Sequence, residues 1–177
     1  MHAEIVISGT GGQGVLVIGR LLAEAGFLEG REVVWLPTYG AEKRGGMVSC
    51  SVTISDEKIG ALVITRPTIG IAMNQAAAGK LERSIKPGGW LVVNQAKTIF
   101  TITRKDINLL DVPANQIALN MGGDAPANII MMGALLAVNP VVSLGGVIKV
   151  LEQLFGNNMK ALEMNKQALI KGAAGPQ

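Results

Sequence analysis

Three glycines, Gly9, Gly11 and Gly14, stand as Gly-x-Gly-x-x-Gly inside ISGTGGQGVLVIGRLLAEAG, residues 7–26. They separate a short apolar run from a long amphipathic one, and this arrangement restricts the fold more than any other feature. The run AEIVIS (3–8) predicts a buried strand ending at Gly9. Beyond Gly14, residues Val15, Ile18, Leu22 and Ala25 recur at steps of three and four, the spacing of one helix face. Gly26 and Gly30 are expected to mark the end of that helix. REVVWLP (31–37) predicts a second strand, stopped at Pro37. A glycine-rich turn between strand and helix leaves backbone N–H groups facing whatever anion sits at the helix N-terminus.

The rest of the chain departs from a plain nucleotide fold. TYGAEKRGG (38–46) is a loop rich in glycine and charge. MVSCSVTIS (47–55) alternates Val48, Cys50, Val52 and Ile54 with small polar residues, which predicts a half-exposed strand. No crossover helix precedes it, so it is expected to be antiparallel or at an edge. ALVIT (61–65) predicts another strand. Residues 67–85 predict a short strand and then a helix, PGG (87–89) a turn and WLVVN (90–94) a core strand. TIFTITRKD (98–106) predicts a shorter strand. From Ala125 the pattern turns helical. Asp124 is the expected N-cap with Pro126 in the first turn, Ser143 is the expected cap of SLGGVIKVLEQLF, and a last helix follows Gly156. No repeat or linker divides residues 1–177, which read as one α/β domain with helices gathered at the end.

Composition narrows the role. Hydrophobic residues are 49% and charged residues 16%, against roughly 25% charged in an average soluble protein. Such a surface is expected to be covered in part by other chains. The net charge of +3 comes from scattered Lys and Arg, and three Phe, two Trp and one Tyr make a poor base-stacking platform. Nucleic acid is therefore not an expected partner. The single cysteine, Cys50, excludes an intrachain disulfide and a cysteine-held cluster. The single histidine, His2, is expected in a frayed terminus. No apolar stretch reaches the ~18 residues of a membrane span; the densest, Ile129 to Val138, is shorter. The N-terminus shows no cleavable leader pattern, and a cytoplasmic protein is expected. Asp56 and Glu57 read as a solvated turn, and Met121, Met131 and Met132 as core fillers.

A dinucleotide site needs a second anchor: an acidic residue at the end of the second strand to hold the ribose. That strand ends Trp35-Leu36-Pro37-Thr38, with neither an acid nor an arginine for a 2′-phosphate. Gln13 offers a carboxamide at the helix start. In Pro37-Thr38-Tyr39-Gly40-Ala41-Glu42-Lys43-Arg44-Gly45-Gly46, Arg44 offers a guanidinium fork suited to carboxylate or phosphate, with Glu42 able to orient it. An ordinary surface loop carrying a local Glu–Arg pair reads equally well from these residues alone.

GTGGQG after the first strand, PTYGAEKRGG after the second and the SCSVTIS strand together resemble the gamma subunit of 2-oxoacid:ferredoxin oxidoreductases. The likeness runs on through SDEKIGALVITRPTIGIAMNQ and KPGGWLVVN to DAPANIIMMGALLA. The resemblance implies a Rossmann-like, three-layer α/β domain with a mostly parallel sheet, an added antiparallel or edge strand and C-terminal helices. It implies an enzyme subunit that is not self-sufficient, in a complex that oxidatively decarboxylates a 2-oxoacid with coenzyme A, giving acyl-coenzyme A and carbon dioxide with the electrons passed to ferredoxin. Thiamine diphosphate and iron–sulfur clusters would belong to partner alpha, beta and delta subunits, with no cofactor held wholly here, and a homodimer is open to the isolated chain. Gly9, Gly11, Gly12, Gln13 and Gly14 are then expected beside Tyr39, Glu42, Arg44 and Gly45, at coenzyme A phosphates or at a subunit interface. No catalytic residue and no metal ligand is assigned. The favoured substrate is 2-oxoglutarate or a branched-chain 2-oxoacid ahead of pyruvate. A free-standing nucleotide-binding domain is the alternative.

Overall fold

The computed structural model describes residues 1–39, 46–95, 101–123 and 126–175. Six strands form one sheet: β1 (His2–Thr10), β2 (Glu32–Tyr39), β3 (Met47–Ser55), β4 (Ile69–Ala72), β5 (Trp90–Asn94) and β6 (Asn108–Val112). Their order is β2-β3-β1-β4-β5-β6. β1, β4, β5 and β6 are parallel neighbours, while β3 runs antiparallel to both β1 and β2. The helices are α1 (Val15–Leu28), α2 (Gln75–Ser84), α3 (Ala114–Asn120), α4 (Ala127–Val138), α5 (Leu144–Phe155) and α6 (Met159–Ala173).

Alternation along the strands divides the core between two faces, because successive side chains point to opposite sides of a sheet. Ile5, Ile7 and Val92 join residues of α1, α4 and α5 in one apolar cluster. Val6, Leu91 and Val93 join Ala77, Ala78 and Leu81 of α2 in the other. The expected α/β fold with a mixed sheet and C-terminal helices is what the chain adopts.

α4 has no polar face; Ala127 through Leu136 are all buried. It lies backbone to backbone against α6. A Cβ on Gly172 would stand 2.1 Å from the Ile130 carbonyl oxygen, and one on Gly133 would stand 2.3 Å from that of Leu169. Two glycines thus set the distance between these helices. Asn74, Ser143 and Asn158 cap α2, α5 and α6 by accepting from the N–H groups of Ala77, Gly146 and Ala161.

Several expectations are corrected. Pro37 lies inside β2 rather than stopping it; β2 is an edge strand, where proline's missing donor is tolerated. β3 is internal, and its small polar Thr53 and Ser55 are buried along with the apolar residues. His2 pairs with Ser55 at the start of β1 and is not frayed. Gly26 is within α1, where bareness lets Val33 and Ile54 approach; the chain leaves the helix near Gly30, at φ 76°. Residues 61–65 form no strand, and Leu62 and Val63 are exposed. Of the strand expected at 98–106, residues 98–100 lie outside the described residues and 101–106 are irregular; the strand is β6, at 108–112. Asp124 also lies outside the described residues, and Pro126 itself occupies the N-cap position of α4. Asp56 and Glu57 are exposed, as expected, with Asp56 also 3.6 Å from Arg31. Met131 and Met132 are fully buried and Met121 packs against the same core.

The irregular 101–106 segment is fastened by Glu82 of α2. Its carboxylate accepts from the Thr103 N–H and hydroxyl and from the Arg104 N–H. Arg104 in turn donates to the carbonyls of Glu82 and Ile85. Burial alone would raise the Glu82 carboxyl, but these hydrogen bonds and the Arg104 charge hold it below its ordinary value.

Three outcomes are expected. Gly172→Ala drives a methyl into the α4 backbone and should cost about 2–3 kcal/mol or more in urea unfolding. Gly79→Ala, in open space on α2, should instead stabilise by about 0.5–1 kcal/mol. Because the folded Glu82 value is depressed, its contribution is present above the unfolded value of 4.5 and disappears as pH falls through the folded one. Acid titration of stability should therefore show wild type losing more than Glu82→Gln below pH 4.5.

Candidate functional site

α1 leaves the end of β1 toward one face of the sheet, and α2 leaves the end of β4 toward the other. β1 and β4 are adjacent. Chains that part in this way open a crevice at the carboxyl ends of the two strands, where α/β sheets bind ligands. The glycine loop, Thr10 to Gly14, lies at this crevice.

Two of its glycines are required by conformation: Gly12 has φ 93° and Gly14 has φ 73°. Gly14 is doubly constrained, since a Cβ there would lie 2.3 Å from Asn128 Nδ2. Among the described residues, no side chain caps α1. Val17 and Ile18 donate to the Gly14 carbonyl, which leaves the N–H groups of Val15 and Leu16 directed beyond the helix end, where an anion is favoured. A hollow of about 380 Å³ opens there between Gly11, Gly12, Val15, Leu16 and Val48.

Gln13 braces this loop. Its Oε1 accepts from the Thr10 N–H at 2.8 Å and from Asn74 Nδ2 at 2.8 Å, and its Nε2 donates to the Met73 carbonyl at 3.2 Å. A backbone N–H can only donate and a carbonyl can only accept, so the orientation of the carboxamide is fixed. One side chain thus joins β1, the end of β4 and the cap of α2.

The start of β3 lies on the other side of β1. Thr10 pairs with Met47, and the Gly11 N–H donates to the Gly46 carbonyl at 3.2 Å. β2 ends one strand further out, with Tyr39 opposite Val48. The neighbouring-strand position that carries the ribose-binding acid in a dinucleotide fold is thus held by an antiparallel strand. This geometry accounts for the incomplete fingerprint. Glu42, Arg44 and Gly45 lie outside the described residues; of the residues flanking them, Gly46 is beside β1 and Tyr39 is one strand further out, against β3.

Beneath the loop is a cleft of about 440 Å³, whose polar lining includes Gln13, Asn94, Asn115 and Asn128. A second hollow of about 410 Å³ adjoins it, reaching Asn74, Gln75 and Gln95. Asn94 Nδ2 donates to the Met73 carbonyl at 3.4 Å and to Asn115 Oδ1 at 3.1 Å. Sequence motifs had not singled out these asparagines. The available signal was a recurrence: IGIAMNQ and WLVVNQ both carry Asn-Gln at or just beyond the end of a parallel strand.

Cys50 is buried behind Gly19 of α1, and burial pushes its thiol up to about 11. It is unsuited to nucleophilic work at neutral pH. Among the described residues, no group of three or more His, Cys, Asp and Glu is placed to hold a metal, and no helix is long and apolar enough to cross a membrane.

Comparison with known proteins gives a consistent result. The family model for pyruvate ferredoxin/flavodoxin oxidoreductase matches residues 4–175. Ketoisovalerate oxidoreductase subunit VorA of Methanothermobacter thermautotrophicus is 32% identical over 173 residues, covering 97% of this chain and 36% of that subunit. 2-Oxoglutarate synthase subunit KorC of Methanothermobacter marburgensis is 31% identical over 188 residues, covering 97% of this chain and 99% of the other. The structure of 2-oxoglutarate:ferredoxin oxidoreductase from Magnetococcus marinus, with 2-oxoglutarate, coenzyme A and succinyl-CoA bound, matches with a TM-score of 0.88 at 28% identity, over 98% of this chain and 30% of that one. Pyruvate oxidoreductase subunit PORC from Thermotoga maritima matches with a TM-score of 0.83 at 27% identity, over 98% of this chain and 96% of that one. The chain thus spans about a third of the length of the VorA relatives and nearly all of KorC and PORC. It belongs to the pyruvate ferredoxin/flavodoxin oxidoreductase family.

Gln13→Leu should strand the Thr10 N–H and loosen the junction of β1 and β4. A loss of about 2–3 kcal/mol is expected in urea unfolding, whereas Gln116→Leu on the exposed face of α3 should stay within about 0.5 kcal/mol of wild type.

Proposed function

We propose that the chain is the gamma-type subunit of a multi-subunit 2-oxoacid:ferredoxin oxidoreductase and acts only within that complex. The observation that carries this reading is the end-to-end match to KorC and PORC, which are themselves separate subunits. The residues agree with a supporting role. Cys50 is buried with a raised thiol, so this chain does not suit an iron–sulfur cluster, which needs several thiolates. We assign the clusters and thiamine diphosphate to partner alpha, beta and delta subunits. A charge-poor surface with Phe27 and Val63 each 75% exposed suits a subunit covered by other chains.

In this reading the glycine loop takes phosphates of coenzyme A. The N–H groups of Val15 and Leu16 and the α1 dipole supply the fixed positive end, and we assign Arg44 as the side-chain cation with Glu42 orienting it. Tyr39 and Gly45 lie in the same segment of sequence. The chain's task is to hold and orient the acceptor of the acyl group, while bond-making occurs on the partner subunits. The Magnetococcus marinus enzyme, solved with coenzyme A bound, supports the assignment. Relatives named for ketoisovalerate and 2-oxoglutarate support a branched-chain 2-oxoacid or 2-oxoglutarate as substrate.

The test is anaerobic purification of the tagged chain from its host, with mass spectrometry and assays of iron and thiamine diphosphate. Larger chains should arrive with both, and the assembly should reduce ferredoxin with a 2-oxoacid and coenzyme A; a chain that arrives alone and iron-free overturns the reading. In the active assembly, Arg44→Ala should raise the KM for coenzyme A roughly 10- to 100-fold, the loss of one charge-assisted contact. An unchanged KM with unchanged assembly removes Arg44 from the site.

A further inference from the structure

We propose that the face of β2 and β3 turned away from α1 seats one helix of a partner subunit, packed beside α2 with small and aliphatic side chains against the sheet. The inference rests on the subunit reading of the chain. Residues directly opposite each other on neighbouring strands share a face, so the register sorts the two strands. Val33 and Trp35 stand opposite Ile54 and Val52, and all four belong to or pack on the apolar cluster beneath α1. Val34, Leu36 and Thr38 stand opposite Thr53, Ser51 and Ser49 on the other face. Ser51 continues to Val6 of β1 and Ser49 to Ser8, and Val6 packs on the apolar cluster of α2. The two faces are covered unequally. Among the described residues, the first draws on α1, α3, α4, α5 and α6, whereas the cluster on the second draws on α2 alone. α2 packs on β1, β4 and β5, and Gly70 of β4 lets its Leu81 come close. Over β2 and β3 the face is open: Leu36 is 37% exposed, Thr38 is exposed, and Val34, Ser49 and Ser51 are half-buried. It closes at the other end of β3, where Thr53 and Ser55 are buried.

Width and chemistry say what fits this strip. Largely parallel α/β sheets bury both faces under helices. The middle of the strip lies about two and a half strand spacings from β4, roughly 12 Å. A helix with its side chains is ~10–12 Å across, so one helix laid beside α2 fills it. Val34, Leu36, Thr38, Ser49 and Ser51 carry no charge, and the two serines are short enough to let another backbone approach. The matching surface is therefore an uncharged stripe of small and aliphatic residues. Pro37 argues against a strand as the occupant, because it leaves the β2 edge short of a donor; the face rather than the edge is offered. The relatives indicate where the helix comes from. The matched stretch is 36% of the VorA subunit and 30% of the Magnetococcus marinus chain, so in those proteins the same domain is joined to about twice its own length of further chain. For this chain a separate subunit supplies that surface.

The test compares the full chain alone with the anaerobically purified assembly by hydroxyl-radical footprinting, which reads side-chain exposure by mass spectrometry. Modification of Leu36 should fall roughly 5-fold or more in the assembly, as expected of the dry core of an interface. Leu36→Lys and Ser51→Lys should each lower the co-purified partner chains roughly 10-fold or more, because assembly would bury an unpaired charge, while the urea midpoint of the free chain stays at the wild-type value. Glu163→Lys, exposed on α6, should assemble normally. If the strip variants do not fold, the footprint of the wild-type chain decides. Equal modification of Leu36 in both states, or strip variants that assemble as wild type does, overturns the inference and leaves the subunit reading standing. A wild-type chain that arrives without partners overturns both. If the free chain is a dimer that the strip variants dissociate, a second copy covers the face and the inference is likewise overturned.

Discussion

The site depends on one carboxamide spanning the point where the chain divides. β1 and β4 lie side by side and send their helices to opposite faces, so the backbone on either side of the crevice is drawn apart. Gln13 ties the two edges together, accepting from Thr10 and Asn74 and donating to Met73. Each of these bonds is ordinary in strength, about 1 kcal/mol net. Together they fix the loop, the end of β4 and the cap of α2 as one unit. Asn94 extends the same network to β5 through the same Met73 carbonyl. The glycines permit the loop's path; Gln13 keeps it there.

Inserting β3 between β1 and β2 determines what this unit can serve. A strand entering antiparallel brings its first residues, Gly46 and Met47, to the place beside the loop. It also moves the end of β2 outward by one strand spacing, roughly 5 Å. A ribose-binding acid on β2 would be too far out to act. The same insertion puts one end of the Tyr39–Gly46 segment, Gly46, against the glycine loop and leaves the other, Tyr39, one strand further out. One topological change thus removes the dinucleotide anchor and brings the start of β3 to the loop in its place.

Much of this was legible in the sequence because it rests on local rules. Period-two alternation located β3 to the residue, and Ser143 announced α5. What failed was context. Pro37 reads as a stop because proline cannot donate, but at a sheet edge that donor has no partner to lose. Gly26 reads as a helix end because glycine is a poor helix former, yet inside α1 its missing side chain admits Val33 and Ile54. The strand expected from ALVIT has the right apolar residues but no neighbouring strand to pair with. β6 was missed because NLLDV lacks a clear alternation and its strand character comes from pairing with β5. The asparagines of the cleft were invisible to motif reading for a related reason. Asn94, Asn115 and Asn128 are distant in sequence, and only strand order and the α4 packing bring them together.

The apolar composition also divides into two parts once the fold is known. α4 buries its whole circumference and shares a backbone contact with α6, so a helix that would normally carry a polar face carries none. That absorbs Ile129 through Leu136 into the core and lowers the demand for charge without any partner. Phe27 and Met159, on helices, and Leu62 and Val63, in the irregular stretch between β3 and β4, are different: each is more than half exposed. The same economy of charge marks the crevice. Its fixed positive end comes from backbone N–H groups rather than from a lysine or arginine of the described residues, and its inner lining is neutral. A crevice built this way places its preference for an anion at the α1 terminus.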